Sequence, residues 1–508
     1  MKLFTFVCAA ASLLSAPFAP AQMAAPGEQP TIMPSRAGPL ALKYKGDADR
    51  ILAAASTDND GYAALTYLCD HVGKRVSGSP QLNAAVNWGA DLMRKAGLQN
   101  VHIQPVTVPH WVRGNESADL VAPVKKQLHM LGLGMSVGTP PAGITAPVVF
   151  VHTFAELDAL PNDQVRGKIV VFNPGWHGYG IGSMYRTGGP SRAAAKGAAG
   201  VLVRSATGLV LQTPHTGTLR YDEKQPKIPS AAISVEDALL IERLSREGPV
   251  QVHIQMEAHM EADVQTGNVI GEIVGTEHPE QVVVLGGHID SWDVGQGAQD
   301  DGSGIMAAFE AVSLLHKLGL KPKRTIRLVF WVNEENGGAG GRAYRKGVGD
   351  RIDDQVAAIE MDEGAEKPLG ISYGTFGSRR PAPPAPGAAA PAPDSARGFD
   401  ERSLSASEKQ SFVVLQDIAS LLASIGADTV APGGGGSDIG PITAEGVPAL
   451  SPRTVGEHYF DWHHTEADTL DKVDPDSFRR NTAMLSVVAY VLADMDGRLA
   501  GQRSRLVE

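Results

Sequence analysis

The sequence predicts an α/β fold: a mixed, mostly parallel sheet flanked by helices, interrupted by an inserted β-rich α+β unit. Three observations point to it. Residues 282–285, 325–332 and 356–361 are continuous apolar or β-branched runs, the pattern of strands buried on both faces. A strongly apolar helical stretch, 304–318, separates the first two, as parallel neighbours need a crossover between them. From about 118 to 261 the texture changes to short strands, short helices and many glycines, which reads as a separate unit set into the first.

Taken in order, the chain begins with Lys2 and an apolar run from Leu3 to Phe18, followed by Ala19-Pro20-Ala21 and no acidic residue before Glu28. That is the layout of a secretory signal peptide over 1–21. The run is too short and too Pro-interrupted for a membrane anchor. No other stretch is long enough to span a bilayer, so a soluble exported protein with no membrane span after cleavage is expected. The small Ala-rich leader points to the periplasm of a Gram-negative bacterium. Cleavage discards Cys8 and leaves only Cys69, which excludes an internal disulfide.

Residues 22–45 are rich in Pro, Ala and Gly and read as a loose arm. Helical spacing follows over 48–97, with Leu82, Val86 and Met93 among its apolar positions and Gly97 as the stop. Residues 101–106 alternate like an edge strand. Inside the insert, 147–151 and 168–172 read as strands and 191–196 and 235–247 as helices. Tyr179, Tyr185 and Arg186 fall in a Gly-rich loop. The Pro/Ala tract 379–397 removes backbone donors and reads as a flexible surface excursion. Helices are expected at 408–425 and 475–495, with the glycine loop Gly433 to Ser437 between them. The first unit is expected to be discontinuous, 22–117 and 262–508, around the insert 118–261.

Composition excludes several function classes. A length of 508 residues implies two or three domains. The 43% hydrophobic content supports large cores and excludes global disorder. A net charge of −11 has the wrong sign for a nucleic-acid binder.

Acids and histidines gather where the strands end. Gly286-Gly287-His288-Ile289-Asp290-Ser291-Trp292-Asp293 closes the first strand, and Gln299-Asp300-Asp301-Gly302-Ser303-Gly304 leads into the apolar helix. Asn333-Glu334-Glu335-Asn336 closes the second strand and Glu360-Met361-Asp362-Glu363 the third. A fifth segment reads Asp461-Trp462-His463-His464-Thr465-Glu466-Ala467-Asp468. A lone strand-end His or an Asp-Asp-Gly turn is commonplace; five such segments together are not. Burying this much negative charge without a cation would be very costly. Zinc takes imidazole and carboxylate ligands at about 2.0–2.2 Å, and paired metals about 3.5–4 Å apart activate water for hydrolysis. A pair of ions needs a shared carboxylate, further ligands on each ion and a spare base, and adjacent Glu residues can divide the last two tasks. A carboxylate two residues beyond His288 can accept its other ring N–H.

His288-x-Asp290, Asp300-Asp301-Gly302-Ser303-Gly304, Glu334-Glu335, Asp362 and His463-His464-Thr465 together resemble the zinc-dependent exopeptidase family of aminopeptidases and glutamate carboxypeptidases. Pro214-His215-Thr216-Gly217 and the segment Lys227 to Ala238 resemble the protease-associated domain that some members carry as an insert. The likeness covers roughly 51–499. It implies two Zn2+ ions per chain, with Asp300 bridging, His288 and Asp362 on one ion and Glu335 and His464 on the other. It implies Glu334 as general base, Asp290 as the orienter of His288, and a cis Asp300–Asp301 bond. His463 is not counted as a ligand, because the family ligand directly precedes the Thr/Ser position. Asn333 departs from the alanine common in relatives. The expected substrates are dipeptides or short peptides with a free terminus, cleaved in carboxypeptidase or dipeptidase fashion or, as the alternative, by an aminopeptidase; a homodimer is implied as well. A metal-free binding protein on this fold would have lost ligands that are present here. A serine hydrolase lacks its elbow, since Gly435-Gly436-Ser437-Asp438-Ile439 has no final Gly. A dinucleotide fingerprint fails at Asp300, where its third Gly belongs.

Overall fold

The computed structural model describes residues 32–374 and 404–500. The leader 1–21 and the tract 379–397 lie outside these residues. Two sheets organise the described residues. The larger has nine strands, and its centre is made of strands His278–His288, Arg324–Trp331 and Gln355–Glu360, with Ala449–Thr454 beyond. These central pairings are parallel. Antiparallel strands close both flanks, so the sheet is mixed. The strand Gln99–Val112 lies at one edge, where alternation placed it.

The apolar runs are continuous because alternate residues enter different cores. Val283, Leu285, Leu328 and Phe330 join one cluster, with helices Ser303–Lys317 and Pro475–Asp494. Val282, Val284, Val329 and Trp331 join another, under helices Ala339–Val348 and Gly440–Thr443. Ser303 through Leu315 are all buried, so this mostly apolar crossover helix is enclosed on every side. Parallel neighbours in register bring their carboxyl ends to one edge of the sheet, where His288 pairs with Trp331 and Gly286 with Glu360. Open α/β sheets collect their ligands at that edge.

The insert forms the second sheet, of eight strands, from Glu116–Ala122 to Gln251–Met256. Its central strands Ile144–Val151, Ile169–Phe172, Gly200–Arg204 and Ser230–Ile233 are parallel. Helix Val235–Glu247 starts at Ser234, whose side chain accepts from the Asp237 amide, the expected N-cap device. No helix among the described residues is long and apolar enough to cross a membrane.

Two expectations need correction. The segment 22–45 is not a loose arm throughout: Pro39–Ala55 is a helix with buried Ala41, Tyr44, Ala48 and Ile51. Its first amides have no cap in the local sequence. Asp417 supplies one from far along the chain, accepting from Gly38 (2.6 Å), Leu40 (2.9 Å) and Ala41 (2.9 Å). The segment containing Tyr179, Tyr185 and Arg186 is not a loop but the first part of helix Tyr179–Ala195. Its glycines oppose helix by propensity, but they permit close packing. A Cβ on Gly182 would lie 2.9 Å from Ala206, and one on Gly189 2.9 Å from Phe172.

Asp417→Ala should destabilise the fold by about 1–3 kcal/mol, because it strands helix amides that now bond a carboxylate. Urea unfolding checks this as a lower midpoint at an unchanged slope.

Candidate metal centre

The strand-end segments converge. Asp300 lies at the middle, with Oδ1 3.2 Å from His288 Nε2 and Oδ2 3.2 Å from His464 Nε2. His288 Nε2 is also 3.2 Å from Asp362 Oδ1, and His464 Nε2 is 3.1 Å from Glu335 Oε2. One carboxylate therefore faces two imidazoles, and each imidazole has a second carboxylate of its own. His288, Asp300, Glu335 and His464 are buried; Asp362 and Glu334 are partly exposed. His463 stacks on His464 with ring centroids 3.4 Å apart. Its Nε2 lies 3.5 Å from Asp300 Oδ2, farther than that of His464.

A second group of buried carboxylates pins the loops that carry the first. Asp468 accepts from the amides of Ala298 (3.1 Å), Gln299 (2.7 Å) and Asp300 (3.2 Å). Asp301 accepts from the His288 amide at 3.0 Å. Glu360 accepts from Asp438 (3.3 Å) and Ile439 (2.8 Å). The glycines of the motifs make room for Asp301: a Cβ on Gly287 would lie 1.9 Å from its Oδ2, and one on Gly304 2.1 Å from its Oδ1. The Asp300–Asp301 peptide is cis. The buried Arg75 guanidinium ties neighbouring loops by donating to the carbonyls of Ile289 (2.7 Å), Gln296 (2.7 Å) and Gly297 (3.0 Å).

Asp290 departs from its expected role. His288 Nδ1 donates to the backbone carbonyl of Asp290 at 2.9 Å, while the nearest carboxylate oxygen is 3.8 Å away. The carboxylate instead accepts from the amides of Glu334 (3.1 Å) and Glu335 (3.4 Å) and from Ser77 Oγ (3.2 Å). Asp290 lies just past the end of strand His278–His288, and its own carbonyl is the nearer acceptor for the ring. Asp290 thus orients the Glu-Glu turn. That turn is strained at Asn333, which has φ +67°, a conformation Asn tolerates better than most residues. The Asn333 side chain bonds Ser77, Asn336 and the Ala339 amide, which an alanine could not do.

The donor set fits divalent cations. His288, Asp300 and Glu335, then His288, Asp301 and Asp362, then Asp300, His463 and His464 each offer ligand atoms within 4.8 Å of one another. Asp301 Oδ1 and Glu335 Oε1 are buried without a hydrogen-bond donor, a costly state that a cation relieves. Burial, then the Asp300 charge, pushes Glu335 up to about 8. Burial likewise raises Asp362 and Asp301 well above the carboxylate range. Asp300 goes the other way: burial would raise it, but His463, His288 and His464 hold it well below. For His288, burial is outweighed by Asp362, Asp300 and Asp301, which raise it. These are groups competing for too few positive charges. A cleft of about 960 Å³ between the two units is lined by Lys74, His110, Arg113, Asp293 and Glu466 but by none of the donor residues.

Residues 268–489 match the profile of peptidase family M28, and 144–241 match the PA domain. Carboxypeptidase Q of Mus musculus is 39% identical over 442 residues, covering 87% of each chain. The chain belongs to peptidase family M28. It is therefore a metallopeptidase, with the PA domain set into its sequence ahead of the M28 region. The crystal structure of a peptidase M28 precursor from Shewanella amazonensis superposes with a TM-score of 0.79 at 31% identity, covering 90% of this chain and 98% of that one. A zinc aminopeptidase from Bacillus subtilis shares the fold, with a TM-score of 0.62 at 18% identity over 87% of this chain and 96% of its own.

Sequence reasoning missed Asp301, Glu360, Asp438 and Arg75 as parts of the centre. Asp301 and Glu360 lay within the quoted segments and had a signal. Arg75 and Asp438 had none beyond their own neighbourhoods, since only the fold brings them in.

Asp290→Ala should lower peptidase kcat about 10–100-fold, with little change in KM, by freeing the Glu334–Glu335 turn. Asp290→Asn, which keeps one acceptor oxygen, should fall between. Steady-state kinetics on a dipeptide checks this; an unchanged kcat would contradict the pinning role.

Proposed function

We propose that this protein is an exported binuclear zinc exopeptidase that cleaves dipeptides or short peptides at a free terminus, in the carboxypeptidase or dipeptidase manner. The observation that carries the reading is Asp300, whose two oxygens each lie 3.2 Å from a different imidazole. Asp300 would bridge two ions, with His288 and Asp362 on one and Glu335 and His464 on the other. Two zinc ions held there would supply Lewis acidity, acidifying water and polarising the scissile carbonyl.

The remaining chemistry belongs to the chain. Glu334 is not needed as a ligand; its side chain is partly exposed and lies near enough for its charge to act on Asp362. Its carboxylate takes a proton from the attacking water as the carbon–oxygen bond forms. It then passes that proton to the amine nitrogen as the peptide bond breaks. Asp290 holds its backbone for that transfer. The name of a 39%-identical relative, carboxypeptidase Q, favours recognition of a free carboxylate.

Aminopeptidase action is the second reading, and one observation favours it. Both carboxylate oxygens of Asp438 are buried without a donor, and the group feels the charge of Glu334. Such a group suits a free α-ammonium. The leader over 1–21 and the small Ala-rich character of its residues support export to a periplasm.

Glu334→Gln should retain its zinc and lose about 10²–10⁴-fold in turnover; near-wild-type turnover would remove Glu334 as the base. A chelator should abolish activity, and added zinc should restore it. In a dipeptide panel, cleavage of N-blocked but not C-amidated substrates is expected. The reverse pattern would establish the aminopeptidase reading.

A further inference from the structure

The turn that carries His463 and His464 is gripped from the insert. His464 has φ +63°, a strained value for a residue with a side chain. His215 Nδ1 lies 2.9 Å from the His463 carbonyl. A carbonyl only accepts, so Nδ1 of His215 carries the hydrogen and donates it. The Thr216 amide donates to the His464 carbonyl at 3.0 Å. The Thr216 carbonyl lies 3.2 Å from His464 Nδ1, nearer than Arg186 Nη1 at 3.5 Å, which donates to that same carbonyl; Nδ1 of His464 thus carries the hydrogen, and the Nε2 lone pair is left facing Asp300 and Glu335.

The gripping segment is itself tied to the insert. The His215 amide donates to Ser205 Oγ at 2.9 Å, and Thr216 Oγ1 donates to the Gly132 carbonyl at 2.7 Å. Arg186 Nη1 donates to the same Thr216 carbonyl at 3.0 Å, and its Nη2 donates to the Tyr179 hydroxyl at 2.8 Å. The Arg186 guanidinium lies over Gly217, where a Cβ would come within 2.2 Å of it. The Tyr179 ring stacks on Phe460, with centroids 4.8 Å apart, next to the histidine turn. Pro214-His215-Thr216-Gly217, left without a role in hydrolysis, thereby acquires one.

We propose that His215 and Thr216 of the insert are positioning residues for the His464 metal position, holding its ring in the Nδ1–H tautomer and its backbone in the left-handed conformation. The inserted domain then completes the metal centre and does not merely cover it. This rests on the two-zinc reading above. An outer partner of a metal-bound imidazole typically matters 10–100-fold in metal affinity.

The test uses the full-length protein and three chains: wild type, His215→Ala and His215→Asn. The Asn amide nitrogen occupies roughly the place of ring Nδ1 and keeps the donor. Zinc affinities are read by competition with a chromophoric chelator, alongside thermal melting of each zinc-free protein. Wild type should bind two ions. His215→Ala should lose about 10–100-fold in affinity for one ion and keep the other, and His215→Asn should recover most of that loss. The proposal is overturned if His215→Ala binds both ions as wild type does. It is also overturned if both ions weaken alike with a collapsed melting temperature that Asn does not restore. If wild type itself binds fewer than two ions, the two-zinc reading falls and takes the proposal with it.

Discussion

Asp290, Asp300, Asp301, Glu335, Glu360, Asp438 and Asp468 are all buried at one end of a nine-stranded sheet. Their mutual repulsion, in surroundings that solvate charge poorly, is an unfavourable feature that the fold must answer. Backbone amides answer part of it: Asp468, Asp290, Asp301 and Glu360 each accept from loop N–H groups. Imidazoles answer more of it around Asp300. Orphaned oxygens on Asp301 and Glu335 remain, and divalent cations are the natural counter-charge. The same repulsion therefore demands a cation and, through the amide bonds, shapes the loops that present its ligands.

The central architecture was legible because it follows from periodicity. Continuous apolar runs at 282–285 and 325–332 predict strands with cores on both sides, and Val282 and Val283 do enter different clusters. The positions that converge were legible too, since parallel strands end at a common edge and the acids were already at the ends. What escaped depends on tertiary partners. The helix Pro39–Ala55 is capped by Asp417, hundreds of residues away, so the local sequence looked like an arm. The Gly-rich start of helix Tyr179–Ala195 opposes helix locally and is chosen for contact with Ala206 and Phe172. Spacing from His288 does not distinguish the carbonyl of Asp290 from its carboxylate, and the ring bonds the carbonyl.

The insert also changes meaning once the structure is considered. Read as sequence, it is a separate unit set into the rest of the chain. In the fold, the carbonyls of His463 and His464 and the ring of His464 all bond to it. A swinging lid would have to break those bonds at each opening. The two units thus share one centre, and the long strands Gln99–Val112 and His259–Ile273, paired along their length, join them.

The central claim is that Asp300 lies between two divalent ions. X-ray diffraction from crystals of the zinc-loaded protein, recorded on both sides of the zinc absorption edge, tests it most directly. The account predicts two anomalous peaks flanking Asp300, one against His288 and Asp362 and the other against His464 and Glu335. A single peak, or a peak held by His463 in place of His464, would contradict it.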